Sequence, residues 1–185
     1  MILPPNCYSK KRIDVNGAVI HFISARYTMP EAPFNLDEII KILTQYKYSY
    51  KGLITREGEY IELVPENFKQ YHAGYSIMNG RNDCNNFTNG YACFGGSLWP
   101  YPDDQIMGLS QVLAQDMTKN KYTLDYVQGH DEVRQNWRDQ NPAKIAELKA
   151  KREGYKVAKK KDPGAHFPRE ALKDMLYSVS EANRV

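Results

Sequence analysis

Apolar and polar residues repeat with two different periods in the first third of the chain, and these periods predict its elements. Residues 17–25 (GAVIHFISA) are a short apolar run with β-branched side chains, which is typical of a buried strand. Residues 35–47 place apolar side chains at helical spacing, and Asn35 stands where an N-cap is needed. Residues 50–65 contain two apolar-alternating runs around a central turn, which predicts a β-hairpin.

The middle of the chain joins one irregular stretch to two regular elements. Residues 66–89 are rich in Asn, Gly and Tyr and predict a long loop region, which inside a compact domain is usually functional or disordered. Residues 90–96 predict another buried strand, ended by paired glycines. The helix that follows has Asp103 or Asp104 as its expected cap. Its apolar stripe consists of Ile106, Leu109, Val112, Leu113 and Met117.

The last third is more charged but continues the alternation of strands and helices. Residues 124–130 predict a strand that ends in a histidine. Residues 131–159 predict an appended, charged surface insertion with an exposed helix that begins at Pro142. Residues 168–179 predict a closing helix. We therefore expect an α/β fold, with a mixed central β-sheet flanked by helices, in a single domain that spans residues 1–185.

The distribution of charge narrows the classes of partner. The 25 Lys and Arg residues against 22 Asp and Glu residues give a net charge of +3, too small an excess to indicate nucleic acid by itself. Basic residues concentrate in residues 149–161, which suits either a polyanionic partner, such as a bacterial cell wall, or a solvated surface. A nucleic-acid site would need aromatic residues interleaved with these lysines, and only Tyr155 is there. We therefore expect no specific nucleic-acid partner.

The cysteines and the apolar runs indicate the cellular compartment in which the protein is made. Three cysteines without a CxxC pair predict reduced thiols rather than a disulfide framework. The N-terminal segment lacks an apolar run of signal-peptide length, and no segment approaches the ~20 apolar residues of a membrane span. We therefore expect a protein made in the cytoplasm without a signal peptide, which something else must deliver to any substrate outside it.

Three side chains with metal-binding chemistry lie in distant segments. His21 lies in one predicted buried strand, His130 ends another, and Asp162 precedes a Pro-Gly turn. A single histidine on an apolar strand is more often a core residue than a ligand. Two imidazoles and one carboxylate, with a fourth position open to water, are nevertheless the pattern of a catalytic zinc site. The spacing alone is weak evidence, because these residues meet only through the fold.

Six motifs, in a fixed order, carry a family resemblance. They are VIHFISA, SYKGLITREGEYIELVPE, YHAGYS, NGYACFGG, GHDEV and KKDPGAHFP. With these motifs, residues 17–176 resemble the zinc-dependent N-acetylmuramoyl-L-alanine amidases, a family that includes the phage lysozyme-amidases and the peptidoglycan recognition proteins. The resemblance implies an enzyme that binds peptidoglycan. It would cut the amide between the lactyl group of N-acetylmuramic acid and the L-alanine of the stem peptide.

The resemblance also implies roles for individual residues. It implies one zinc ion (Zn2+) per chain, with His21, His130 and Asp162 as its expected ligands. Tyr50 is a catalytic residue, better suited to donate a hydrogen bond than to act as a base, because the reference pKa of tyrosine is about 10. Packing on the core is the alternative for this strand aromatic. His72, in YHAG, is a substrate-binding residue of the groove.

Lys160 is the second catalytic residue that the resemblance implies, since it precedes the last ligand by two positions. Side chains alternate in an extended segment, so Lys160 and Asp162 share a face while Lys161 points away. Lys160 is then aimed at the place where negative charge develops on the carbonyl oxygen. On this interpretation the lysine cluster, Lys159 to Lys161, combines one catalytic residue with two solvated ones.

Three roles stay open within this resemblance. The phage-like SYK and GYACFGG segments favour a phage endolysin, a bacteriolytic enzyme that reaches the wall through a membrane lesion. A cytosolic amidase that recycles anhydro-muropeptides and a non-catalytic peptidoglycan-binding module are the alternatives. The stretch between His130 and Asp162 is longer than in compact family members, so its path is not predicted. We expect the protein to act as a monomer.

Overall fold

The computed structural model describes residues 3–9, 14–66 and 68–182. Its strands in these ranges are β1 Tyr8–Ser9, β2 Ala18–Ile23, β3 Gly52–Ile54, β4 Tyr60–Glu62, β5 Lys69–Gln70, β6 Ile77–Met78, β7 Arg81–Asn82, β8 Asn89–Phe94 and β9 Val127–Gly129. Its α-helices in the same ranges are α1 Leu36–Tyr46, α2 Asp103–Asn120, α3 His130–Gln140, α4 Pro142–Ala150 and α5 Arg169–Ala182.

The central sheet has five strands in the order β4-β3-β8-β2-β9. Strand β2 runs parallel to both β8 and β9, and β3 runs parallel to β8. Strand β4 is antiparallel to β3, so the two form the predicted hairpin and make the sheet mixed. The short strands pair outside this sheet, β1 with β5 and β6 with β7. The expected α/β fold with a mixed central sheet is confirmed.

Helices cover both faces of the sheet. Helices α2 and α5 lie on one face, where the buried core includes Ile20, Tyr91, Ile106, Leu109 and Leu172. Helix α1 lies on the other face and packs Ile39 and Leu43 against Leu53 and Ala92. His21 pairs in register with Ala92, and paired residues of adjacent strands point the same way. His21 therefore projects from the α1 side of the sheet.

The two helix starts expected from the sequence have different outcomes. At α1 the Asn35 side chain accepts a hydrogen bond from the backbone N–H of Glu38 at 2.9 Å, so the expected cap is confirmed. At α2 the cap position is Pro102, which has an extended backbone and makes no side-chain cap bond. The expectation of Asp103 or Asp104 as cap is therefore wrong. Both lie in the first turn instead, where negative charge favours the positive end of the helix dipole.

The strand expected over residues 124–130 is shorter than predicted and does not contain the histidine. Strand β9 ends at Gly129, and His130 is the first residue of α3. Acidic residues explain this early helix start, since the Glu132 side chain accepts a hydrogen bond from the Gly129 backbone N–H at 2.5 Å. The histidine is thus held at a strand-to-helix junction rather than within a strand.

The expectation that residues 131–159 form an appended surface element is also wrong. Trp137, Leu148 and Val157 are buried together in one apolar cluster, and Val133 belongs to a second cluster. Val133 and Trp137 are four residues apart, so both fall on the inner face of α3 while its charged residues face outward. The insertion is therefore part of the core.

The long loop region between β4 and β8 contains the short strands β5, β6 and β7. The buried Asn85 organises its centre, because its side-chain oxygen accepts hydrogen bonds from the backbone N–H groups of His72 at 3.0 Å and Ala73 at 2.8 Å. Across the described residues, no helix combines the length and the apolar character needed to cross a membrane.

Candidate metal centre and groove

Three predicted ligands from distant segments meet beside the sheet. The potential donor atoms of His21, His130 and Asp162 all lie within 4.8 Å of one another. The Asp162 Oδ2 atom is 2.9 Å from the Nδ1 atoms of both histidines. His21 is fully buried, while the Asp162 side chain keeps 15% of its surface exposed. The cluster is therefore held by the core on one side and reaches solvent through the carboxylate.

Strand register explains why the two histidines are neighbours. Strands β2 and β9 are adjacent and parallel, and Ile20 lies opposite Gly129. The next residue on each strand is a histidine, so His21 and His130 come side by side, with ring centroids 4.6 Å apart. Asp162 arrives from the segment after α4, and its backbone oxygen accepts a hydrogen bond from the Asp131 N–H at 2.8 Å. This bond fixes the carboxylate segment to the start of α3.

The second ring nitrogen of each histidine is already engaged. His130 donates from Nε2 to the backbone oxygen of Ala73 at 3.2 Å. The Nε2 atom of His21 lies 3.0 Å from Nδ1 of His72, whose own Nε2 lies 3.3 Å from the Thr88 carbonyl oxygen. Donation from His21 to His72 and from His72 to Thr88 satisfies all these groups. Both ligand histidines then present a bare Nδ1 to the cluster, which is the arrangement a metal ion requires.

Electrostatics favours the protonation states that bind a metal. Burial lowers the pKa of His21 to about 4, so the ring is neutral near pH 7. Burial alone would raise the pKa of Asp162, but its close contacts with His130 and, after it, His21 hold that pKa well below its ordinary value. Two imidazoles and one carboxylate are a donor set that fits a divalent ion.

A groove of about 930 Å³ opens over the cluster. Its lining includes His130 and Asp162, together with the other predicted site residues Tyr50, His72 and Lys160. The structure therefore brings all the residues singled out from the sequence to one place. Lys160 is exposed along the groove, as strand alternation with Asp162 predicts.

Tyr50 lies immediately before β3 and is half-buried beside the cluster. Its ring centroid is 4.9 Å from that of His21. Burial, and after it the negative charge of Asp162, raise the pKa of Tyr50 above its ordinary value. The hydroxyl therefore keeps its proton at neutral pH and is available as a hydrogen-bond donor. Tyr50 also contributes to the core beneath α1, so packing and chemistry are compatible here.

His72 lines the groove but is only 7% exposed, and its ring contacts His21. Gly90 of β8 makes room for that ring, since a Cβ atom there would lie 2.6 Å from Cγ of His72. Sequence reasoning identified neither Gly90 nor Asn85 as part of the site. A glycine inside an apolar strand is a recognised sign of close approach, whereas an asparagine in an Asn-rich loop gives no such signal.

Comparisons with known proteins place these features in context. The family model for N-acetylmuramoyl-L-alanine amidase matches residues 11–165. A curated relative, the 1,6-anhydro-N-acetylmuramyl-L-alanine amidase AmpD of Enterobacter cloacae, is 33% identical over 81 residues, which are 44% of this chain and 43% of that protein. The chain thus spans less than half the length of the curated relatives it matches.

Solved structures share the fold over most of the chain. A selenomethionine derivative of AmpD has a TM-score of 0.68 at 22% identity, covering 94% of this chain and 92% of that one. An endolysin N-acetylmuramoyl-L-alanine amidase, LysCS from Clostridium intestinale, has a TM-score of 0.61 at 20% identity, covering 96% and 91%. At these identities the likeness describes the fold alone.

Proposed function

The chain belongs to the N-acetylmuramoyl-L-alanine amidase family, and we propose that it hydrolyses the amide between N-acetylmuramic acid and L-alanine in peptidoglycan. We propose zinc as its metal, with one ion held by His21, His130 and Asp162. The observation that carries both proposals is the convergence of these three donors, with the second nitrogen of each imidazole already engaged. The groove over the cluster gives a substrate access to it.

Several residues of the chain have separate roles in the proposed amide hydrolysis. Zinc, when bound, supplies Lewis-acid chemistry at the amide carbonyl and activates water near neutral pH. Tyr50 donates a hydrogen bond from its protonated hydroxyl to the oxygen on which negative charge develops. Lys160 offers an ammonium group on the same groove, where its charge stabilises that oxygen in the transition state. His72 and Ala73 hold the two ligand rings in orientation.

For the biological role we propose a phage endolysin that acts on the assembled wall. The phage-like SYK and GYACFGG segments support this role. A recycling amidase that acts on soluble anhydro-muropeptides is the second candidate, and the curated AmpD relatives favour it. The two roles require the same bond cleavage on substrates of different size.

One digestion experiment tests both the proposed reaction and the proposed biological role. The purified protein is incubated with sacculi and, separately, with soluble anhydro-muropeptides, and new L-alanine amines are counted. An endolysin releases them from sacculi, a recycling amidase releases them mainly from the soluble substrate, and a non-catalytic binding module binds sacculi and releases none. Metal analysis should find about one zinc per chain in the parent protein. Full lytic activity in metal-free His130→Ala protein would falsify the zinc mechanism.

A further inference from the structure

Two aromatic rings form a rigid wall on the α3 side of the groove. The rings of Tyr75 and Trp137 stack with centroids 4.7 Å apart and an interplanar angle of 11°. Trp137 is 6% exposed, whereas Tyr75 is 41% exposed, and both line the groove. Since Trp137 covers one face of the Tyr75 ring, the exposed surface of Tyr75 belongs to the opposite face and the edge. The wall thus offers a backed, flat aromatic surface to whatever enters the groove.

Arg134 stiffens this wall without offering charge to a ligand. Its guanidinium carbon lies 5.1 Å from the Trp137 ring centroid and 5.7 Å from that of Tyr75. The guanidinium donates to the Tyr75 carbonyl oxygen at 2.7 Å, to that of Ala158 at 3.4 Å, and to that of Lys156. The Lys156 ammonium is itself paired with a neighbouring glutamate. Both cations of the wall are therefore engaged within the protein.

The opposite side of the groove, next to β3, is lined by other residues. Lys47 and Tyr48 line it from the segment between α1 and β3, and both are exposed. Strand β3 is separated from β9 by β8 and β2, which is three strand spacings or about 14 Å. His21 projects from β2, so the metal cluster lies between these two sides of the sheet. Tyr50 and Tyr71 also line the β3 side, and the exposed Lys160 lines the groove beside α3. Aromatic and cationic side chains therefore occur on both sides, and what distinguishes the α3 side is the stacked pair in which Trp137 backs the Tyr75 ring.

The substrate of the proposed amidase contains both sugar rings and a peptide. A sugar lies on one side of the scissile amide, and a peptide that carries carboxylates lies on the other. We propose that Tyr75, backed by Trp137, is a subsite for a pyranose ring of the glycan. The C–H face of a sugar ring stacks on an aromatic face, which carries partial negative charge. Peptide carboxylates gain instead from the exposed cations of the lining, Lys47 and Lys160. The inference rests on the proposed function.

Binding of the two reaction products to the full-length chain tests sugar binding and peptide binding separately. The probes are the disaccharide N-acetylglucosaminyl-N-acetylmuramic acid and the tripeptide L-Ala-D-Glu-L-Lys, titrated by calorimetry. Tyr75→Ser should weaken the disaccharide by about tenfold and leave the tripeptide unchanged, because only the stacked face is lost. Tyr75→Phe should keep the parent affinity for both. Tyr27, which is 84% exposed and outside the groove lining, provides the matched control Tyr27→Ser.

The outcomes distinguish this subsite from the amidase proposal. Unchanged disaccharide affinity in Tyr75→Ser, or an equal or larger loss for the tripeptide, overturns the sugar subsite. So does a parent protein that does not bind the disaccharide at all. Sacculus digestion by the parent protein is measured in parallel. A parent that cleaves nothing, yet loses disaccharide affinity with Tyr75→Ser, would retain the sugar subsite and reject the enzyme.

Discussion

The Nδ1 atom of His72 lies 3.0 Å from the Nε2 atom of His21, on the opposite side of the His21 ring from Asp162. His72 was expected from the sequence as a substrate-binding residue. Its contacts assign it a further task, which is to orient a ligand histidine. The role in substrate binding stays a prediction, since His72 also lines the groove.

Loss of His72 should therefore weaken metal binding. Removing an outer partner of a metal-ligating histidine typically costs 10–100-fold in metal affinity. We expect His72→Ala to show a loss of this size in competition with a chromophoric chelator. His72→Asn should recover part of it, because Oδ1 of asparagine can accept the hydrogen bond in place of Nδ1. Equal zinc affinity in His72→Ala and the parent would leave His72 with a role in substrate binding alone.

A substitution at Gly90, in strand β8, tests the contact between His72 and His21 by displacing the His72 ring. A methyl group at this position would lie 2.6 Å from Cγ of His72, so the ring must move. We expect Gly90→Ala to lower the free energy of unfolding by about 1–3 kcal/mol, as overpacking does, and to reduce zinc affinity. Gly154→Ala is the control, because nothing lies within 4 Å of a Cβ there.

A double substitution separates crowding of His72 from a general effect on β8. In a His72→Ala background, Gly90→Ala should cost much less stability, since the clashing ring is gone. Urea denaturation of the four proteins gives the coupling energy. Additive effects of the two substitutions would mean that Gly90 is needed for another reason.

Elements set by local patterns were predictable from the sequence, and those set by contacts were not. The helix at residues 35–47 combines a period with a cap, and both signals are local. The start of α3 was missed because a strand-like run leads directly into it. The contacts that mark the junction, such as the bond from the Gly129 N–H to Glu132, are not visible in that run. The burial of Trp137 was missed because charged residues outnumber apolar ones along α3.

The site shows the same division. The ligands His21, His130 and Asp162 were named through family motifs, because no spacing in the sequence predicts that they meet. The pairing of His72 with His21 depends on Gly90, a residue of the neighbouring strand, and on the loop held by Asn85. These are long-range contacts, which a single sequence without its fold does not reveal.

Arg134 should contribute more to stability than Arg138, which lies one turn later on α3. It is 4% exposed and bonds three carbonyl oxygens in the segments that carry His72 and Lys160. We expect Arg134→Met to lower the free energy of unfolding by about 3 kcal/mol, since three partly buried hydrogen bonds made by a charged group are lost. Among the described residues, Arg138 donates to one carbonyl oxygen, that of Val157. Arg138→Met should cost about 1 kcal/mol.

Urea denaturation measures both arginine variants under the same conditions. Arg134→Lys keeps the positive charge but loses the planar set of donors, so it should behave more like Arg134→Met than like the parent. A parent-like Arg134→Lys protein would mean that charge, rather than the three hydrogen bonds, is what this position needs.

Within the lysine cluster, Lys160 should carry the catalytic effect. It lines the groove with Asp162 and also borders a polar depression beside it. Lys159 lines that depression but not the groove, and Lys161 is outside the described lining of both. A cation near the metal is unfavourable in the resting enzyme. It becomes favourable as negative charge builds on the carbonyl oxygen, which is the condition for lowering the barrier rather than tightening binding.

Lys160→Met should therefore keep its zinc and its fold while it loses about 10²–10³ in turnover, the usual loss for one preorganised donor. The effect should fall on kcat more than on KM, because the interaction strengthens only in the transition state. Lys161→Met is the matched control, with the same change of charge on a side chain outside the groove, and should stay close to the parent. Turnover is measured with soluble muropeptides, so that altered attraction to the charged wall does not contribute. Equal, mild losses in both variants would show that the three lysines form a solvated basic patch, and would leave Tyr50 as the remaining candidate donor to the oxyanion.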